Sequence, residues 1–150
     1  MRFVMNLPRK RRIIDLPQAF YPGSSPVVNS YALKRLLEIL TEANVEYLAK
    51  CPAVGLYNSG VFYDRTTEWD SIPALYRRGY GDCKSLTCAL VAEYRKQGKN
   101  ASATFRHVVN SKGSYDFHIL VMLSTPDGVF FEDPSKDLGM GNNENAWFRF

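Results

Sequence analysis

Gly79-Tyr80-Gly81-Asp82-Cys83-Lys84-Ser85-Leu86, continuing as Thr87-Cys88-Ala89-Leu90-Val91-Ala92-Glu93-Tyr94, is the stretch on which the reading of this chain turns. The two glycines allow a tight turn with close backbone approach, and no breaker interrupts the residues after them. Asp82 suits an N-cap, because its carboxylate can accept from the free N–H groups of a first helical turn. Cys83 then falls where those N–H groups and the helix dipole favour negative charge, a placement expected to lower a thiol pKa and create a nucleophile. Cys83, Leu86, Leu90 and Tyr94 recur at helical spacing, so the thiol belongs to the stripe expected to face the core.

Gly98 ends this helix as a C-cap. Two strand-like runs follow, Ala101 to Asn110 and Tyr115 to Ser124, and a shorter one spans Val129 to Glu132. His118 lies in the middle of the second run and Asp133 closes the third. A cysteine at a helix start, a histidine on a strand and an aspartate after the next strand follow the order of a cysteine-nucleophile triad. In such a triad the histidine takes the thiol proton and the aspartate orients the imidazole.

Four segments carry a resemblance: Trp69-Asp70-Ser71-Ile72-Pro73-Ala74-Leu75, Arg78-Gly79-Tyr80-Gly81-Asp82-Cys83, Phe117-His118-Ile119-Leu120-Val121 and Glu132-Asp133-Pro134-Ser135. In that order they resemble the transglutaminase-like cysteine peptidase superfamily, most of all its small bacterial and phage-encoded members. The resemblance spans roughly Glu68 to Met140, about half the chain. It implies Cys83 as nucleophile, His118 as general base and acid, and Asp133 as orienter, with hydrolysis as the default outcome. It also implies that Trp69, 14 residues before Cys83, lines the cleft or helps to hold the oxyanion, a plain packing role being the alternative. The backbone N–H of Cys83 is an oxyanion donor on any reading that starts a helix there. One departure stands out: Lys84 and Ser85 occupy positions where the family usually carries acidic residues.

Composition sets the bounds. The 150 residues suit a single domain with one core, and 45% hydrophobic with 23% charged residues is ordinary for a globular chain. No apolar run is long enough to span a membrane and no signal peptide opens the chain. Three cysteines without metal-type spacing argue against a disulfide framework and for a reducing, cytoplasmic compartment. Two histidines and these cysteines offer no zinc pattern, and Gly79-Tyr80-Gly81 lacks the rest of a phosphate-binding fingerprint, so no metal or cofactor is expected.

The net charge of +4 is uneven. Residues 1–12 hold Arg2, Arg9, Lys10, Arg11 and Arg12 and no acid, leaving 14 basic against 15 acidic side chains elsewhere. With Pro8, Pro17, Pro22, Gly23 and Pro26, residues 1–29 read as an extended basic arm and residues 30–150 as the domain. The cluster Arg9-Lys10-Arg11-Arg12 is either a solubilising tail or a contact for nucleic acid, an anionic surface or an acidic protein. No base-reading motif accompanies it.

Ser30 is expected to cap a helix running to about Lys50, with Leu33, Leu36, Leu37, Leu40, Ala43 and Tyr47 as its apolar stripe. Residues 53–70 read as loop with one aromatic piece, Val61-Phe62-Tyr63, and Ser71 to Arg78 as a short helix. On the first strand Ala103, Phe105, His107 and Val109 share a face, which reads His107 as structural and leaves it the one rival to His118, the chain having two histidines. Thr125-Pro126-Asp127-Gly128 joins the next two strands. A simple four-residue turn pairs 125 with 128 and sets Asp133 diagonally opposite His118, whereas a bulge at Gly128 puts it on the other face. Asp116 is then the alternative orienter.

The chain ends in an Asn-rich loop and Trp147-Phe148-Arg149-Phe150, aromatics expected to pack back or to dock on a partner. The fold expected is α+β and papain-like, a nucleophile helix packed on an antiparallel sheet. The activity expected is a cysteine peptidase or amidase acting on an amide or isopeptide bond of a protein or peptide. The alternative is a phage virion component or assembly protein in which arm and tail grip neighbours and the triad is unused or used only for processing.

Overall fold

The computed structural model describes residues 2–15, 26–109, 111–113, 115–141 and 148–149. The architecture is α+β. Its centre is a four-stranded antiparallel sheet made by β6 (Asn100–Val109), β7 (Tyr115–Thr125), β8 (Gly128–Glu132) and β9 (Phe148–Arg149). Before it come β1 (Arg2–Leu7), β2 (Lys10–Asp15), α1 (Pro26–Lys50), β3 (Phe62–Tyr63), β4 (Glu68–Asp70), α2 (Ile72–Arg78), β5 (Tyr80–Gly81) and α3 (Cys83–Lys96). The short α4 (Pro134–Asp137) follows β8. Among the described residues no helix is long and apolar enough to cross a membrane.

Helix α3 is the axis of the molecule. Asp82 is its N-cap residue by backbone conformation, and every residue from Cys83 to Ala92 is buried. That corrects the expectation of a single core-facing stripe. Helix α1 covers one side of α3, β6 and β7 cover another, and α4 closes over part of the rest. A helix packed on several sides is buried all round, whatever its polar content. Two glycines fit the turn before it. Gly79 ends α2 in the left-handed region (φ 83°), and a side chain on Gly81 would meet Leu75 Cδ1 at 2.6 Å.

Helix α1 begins at Pro26, four residues before the expected cap at Ser30, with proline in the first turn where its missing N–H costs nothing. Its expected stripe is present, with Leu33, Leu36, Leu37 and Leu40 in the core.

The basic arm is the larger correction. Residues 2–15 are a β-hairpin, and β1 also pairs in parallel with β4, Met5 opposite Trp69. Phe3 and Met5 are buried in the cluster that holds Trp69, Cys83 and Phe117. This segment therefore adds a strand to the domain and does not hang from it, so the expected boundary between residues 29 and 30 does not separate it from the core. The physical reason is alternation: Phe3 and Met5 point one way along β1, and that face has apolar surface to cover. The expectations for residues 16–25, for Asn110 and for Trp147 and Phe150 lie outside the described residues.

The β7–β8 turn pairs Thr125 with Gly128, and Val121 stands opposite Glu132. Of the two registers open in sequence, the four-residue one is present. The other end of the same edge of β7 is taken by β9, with Phe117 opposite Phe148. Between them, residues 118–120 have no strand partner on that edge among the described residues.

Candidate functional site

The opening on β7 is where the sequence-selected residues meet. His118 is buried near the middle of the strand, and its Nε2 lies 2.6 Å from Asp133 Oδ2. Asp133 sits immediately after β8 and is the N-cap of α4, its other carboxylate oxygen accepting from the Lys136 N–H at 3.3 Å. Burial alone would push this carboxyl up. The hydrogen bond and charge of His118, with help from Lys136, win and hold it below the usual carboxylate range. Of the two carboxylates the sequence offers, Asp133 is the one on Nε2.

The start of α3 faces the same opening. Thr87 Oγ1 donates to the Ile119 carbonyl at 3.2 Å, and the Ile119 backbone is close enough to draw the Cys83 pKa down, against the larger effect of burial. Ile119 is the next residue after His118, so the start of α3 packs on the stretch of β7 that carries the His118–Asp133 pair. The carboxylate of Asp133 is close enough to raise the Cys83 pKa.

The thiol itself differs from expectation. Cys83 has no solvent exposure, and burial, followed by the charge of Asp82, pushes its pKa up to about 12. The helix-start placement was expected to lower it. Desolvation outweighs the helix dipole because the whole first turn is enclosed. Cys88 is equally buried and likewise pushed up to about 12, chiefly by burial. All three cysteines are free thiols.

Asp82 does not cap α3 through its side chain. Its carboxylate turns to the ammonium of Lys84, a fully buried lysine that also donates to the Thr66 carbonyl at 2.8 Å and lies 5.7 Å from the centre of the Trp69 ring. Burial pushes Asp82 up despite that partner. Ser85 Oγ accepts the Asp70 N–H at 2.9 Å, tying α3 to β4. Lys84 and Ser85 thus fasten the start of α3 to the segment that runs from Thr66 through β4.

Trp69 is fully enclosed, edge-on to Phe3 with ring centres 5.9 Å apart. Its surroundings here are those of a core aromatic, in the same cluster as Cys83. His107, exposed near the end of β6, lies 5.8 Å from the Phe117 ring and stands apart from the Asp133 carboxylate that His118 holds.

Sequence reasoning missed a clamp beside Asp133. Tyr94 Oη donates to Glu132 Oε1 at 2.6 Å, and Tyr57 Oη donates to the other oxygen of the same carboxylate. These bonds fix the residue preceding Asp133 and draw both phenols well above their usual pKa, burial being the largest cause for each. Tyr94 looked apolar in the helical stripe, and its hydroxyl gave no sequence signal of a partner 38 residues away. Among the described residues no cluster of His, Cys, Asp or Glu could hold a metal ion.

Comparison with family models, with curated proteins and with solved structures gives no match.

Proposed function

We propose that this chain is a transglutaminase-like cysteine peptidase or amidase with a papain-like core, in which Cys83 is the nucleophile, His118 the general base and acid, and Asp133 the orienter. The observation that carries the reading is the 2.6 Å contact between His118 Nε2 and Asp133 Oδ2, one residue from Ile119, whose carbonyl is bonded by Thr87 of the helix that Cys83 begins. With Nε2 committed to Asp133, Nδ1 is the nitrogen that takes the thiol proton.

The chemistry then follows without a metal or cofactor. The Cys83 proton passes to His118, Sγ attacks the amide carbonyl carbon, and the carbonyl electron pair moves onto oxygen. The N–H groups at the start of α3 stabilise that oxyanion. Collapse expels the amine, which takes the proton from His118 and leaves a thioester on Cys83. Water or a second amine, deprotonated by His118, attacks the thioester and restores the thiol. A neutral buried thiol needs this histidine: with a pKa near 12 its own thiolate fraction is negligible at neutral pH.

The test is acyl-enzyme trapping. The protein is mixed with an activated acyl ester and its mass is read intact, with the modified residue located by fragmentation. The reading expects one acyl group on Cys83 that forms in the wild type and not in Cys83→Ala or His118→Ala. Acylation spread over lysines, with Cys83 untouched, would overturn it.

One observation favours a second reading, an assembly or virion protein in which the triad is retained and unused: the thiol has no exposure at all. An intact triad that never acylates, in a chain that folds normally, is the outcome that reading expects.

A further inference from the structure

Where the β1–β2 hairpin turns back it meets the C-terminal end of α2, and the two segments enclose a cleft of about 590 Å³. Arg9, Lys10 and Arg11 line it from the hairpin, Arg77 and Arg78 from the helix, and Glu68 is its one acidic residue. Setting those five bases and one acid aside leaves 14 basic and 14 acidic side chains, so the net charge of the chain is concentrated here. Two of the bases are partly matched. Arg78 bonds Asp70 at 2.5 Å and lies 3.9 Å from Glu68, and Arg11 lies 4.0 Å from Glu68. Arg9, Lys10 and Arg77 have no acidic partner among the described residues.

Three unmatched cations on opposite walls of one concavity keep a positive potential focused between them, which attracts an anion. Arginine forks are suited to bidentate contact with carboxylates and phosphates. The rest of the wall separates those two. Leu7, Pro8, Pro73 and Ala74 supply apolar surface between the charges, and no aromatic ring lines the cleft to stack a base.

We propose that this cleft binds an acidic peptide segment of a partner protein, its carboxylates on Arg9, Lys10 and Arg77 and its backbone across the proline- and alanine-lined wall. The site uses no residue of the candidate triad, so it stands or falls apart from the chemistry at Cys83.

The test is fluorescence anisotropy of a dye-labelled oligoglutamate peptide with the full chain at about 50 mM NaCl, where exposed charges are weakly screened. Wild type and Cys83→Ser bind saturably and alike. Arg9→Glu with Arg77→Glu weakens binding about tenfold or more, while Lys34→Glu with Arg35→Glu, the same charge change on an exposed part of α1, has a much smaller effect. If the reversed pair melts early by circular dichroism, Arg9→Gln with Arg77→Gln replaces it and weakens binding in the same direction. No saturable binding, an equal loss in the α1 control, or tighter binding of a mixed single-stranded DNA of the same length would overturn the proposal, the last by assigning the cleft to phosphates.

Discussion

His118 and Asp133 meet across the β7–β8 pair, Nε2 to Oδ2 at 2.6 Å, because the turn between those strands pairs Thr125 with Gly128. A register shifted by one would have sent the carboxylate to the other face. The folded chain holds the Asp133 carboxyl below its ordinary value, so the pair contributes stability above the unfolded carboxylate pKa of about 3.9, and that contribution is lost as pH falls through the folded value. Asp133→Asn is therefore expected to cost about 1–3 kcal/mol in urea unfolding near neutral pH. The gap to wild type should close as the pH drops below about 4. A gap that persists unchanged at low pH would contradict the pairing.

The buried Asp82–Lys84 pair predicts the opposite pH dependence. Lys84→Met leaves the Asp82 charge enclosed without its cation and is expected to destabilise the chain by about 3–5 kcal/mol. Asp82 is already raised by burial, and removing the lysine raises it further. Its ionised form then penalises folding above the unfolded carboxylate pKa, and protonation relieves the penalty. The variant should regain stability relative to wild type as pH falls from about 7 towards about 5. Asp82→Asn combined with Lys84→Met should recover most of the loss at neutral pH. A double variant as unstable as the single one would show that Lys84 acts through packing alone.

The hairpin at the N-terminus is a structural element, and Phe3 is its anchor. Its ring is buried, edge-on to Trp69, in the cluster that contains Cys83. Phe3→Ala is expected to cost about 3–5 kcal/mol by chemical denaturation. Arg12→Ala, an exposed change in the neighbouring strand, should fall within about 0.5 kcal/mol of wild type. Equal and small effects from both would mean that the segment is a loose arm after all.

The sequence carried the site further than it carried the frame. Gly81-Asp82-Cys83 located the start of α3 to the residue, because glycine conformation and an N-cap residue are local signals. Pro126-Asp127-Gly128 narrowed the His118–Asp133 question to two registers, and only the actual pairing chose between them. The hairpin was hidden by its own charge. Arg9 to Arg12 dominated the reading, although Phe3 and Met5 already alternated with Val4 and Asn6 as a half-buried strand does. What holds that strand is parallel pairing with β4, whose residues lie more than sixty positions away, and no local pattern announces such a contact. Lys84 gave no sign of burial either. Lysine is almost never enclosed without a partner, and its partner Asp82 has the sequence signature of a backbone cap. The same holds for the Cys83 thiol: the dipole at a helix start is visible in sequence, whereas enclosure on every side is not.

If Cys83 gives its proton to His118, as proposed, Cys88 supplies the control within the same molecule. Both thiols are fully buried and both are pushed up to about 12; Asp133 and the Ile119 backbone act on Cys83, whereas Cys88 Sγ donates to the Leu37 carbonyl of α1 at 3.4 Å. The measurement is the rate of iodoacetamide labelling at each cysteine of the native chain against pH, resolved by mass spectrometry. The account predicts that near neutral pH Cys83 reacts at least about tenfold faster than Cys88, and that His118→Ala removes the difference. Equal rates at the two thiols, or a Cys83 advantage that survives His118→Ala, would contradict it.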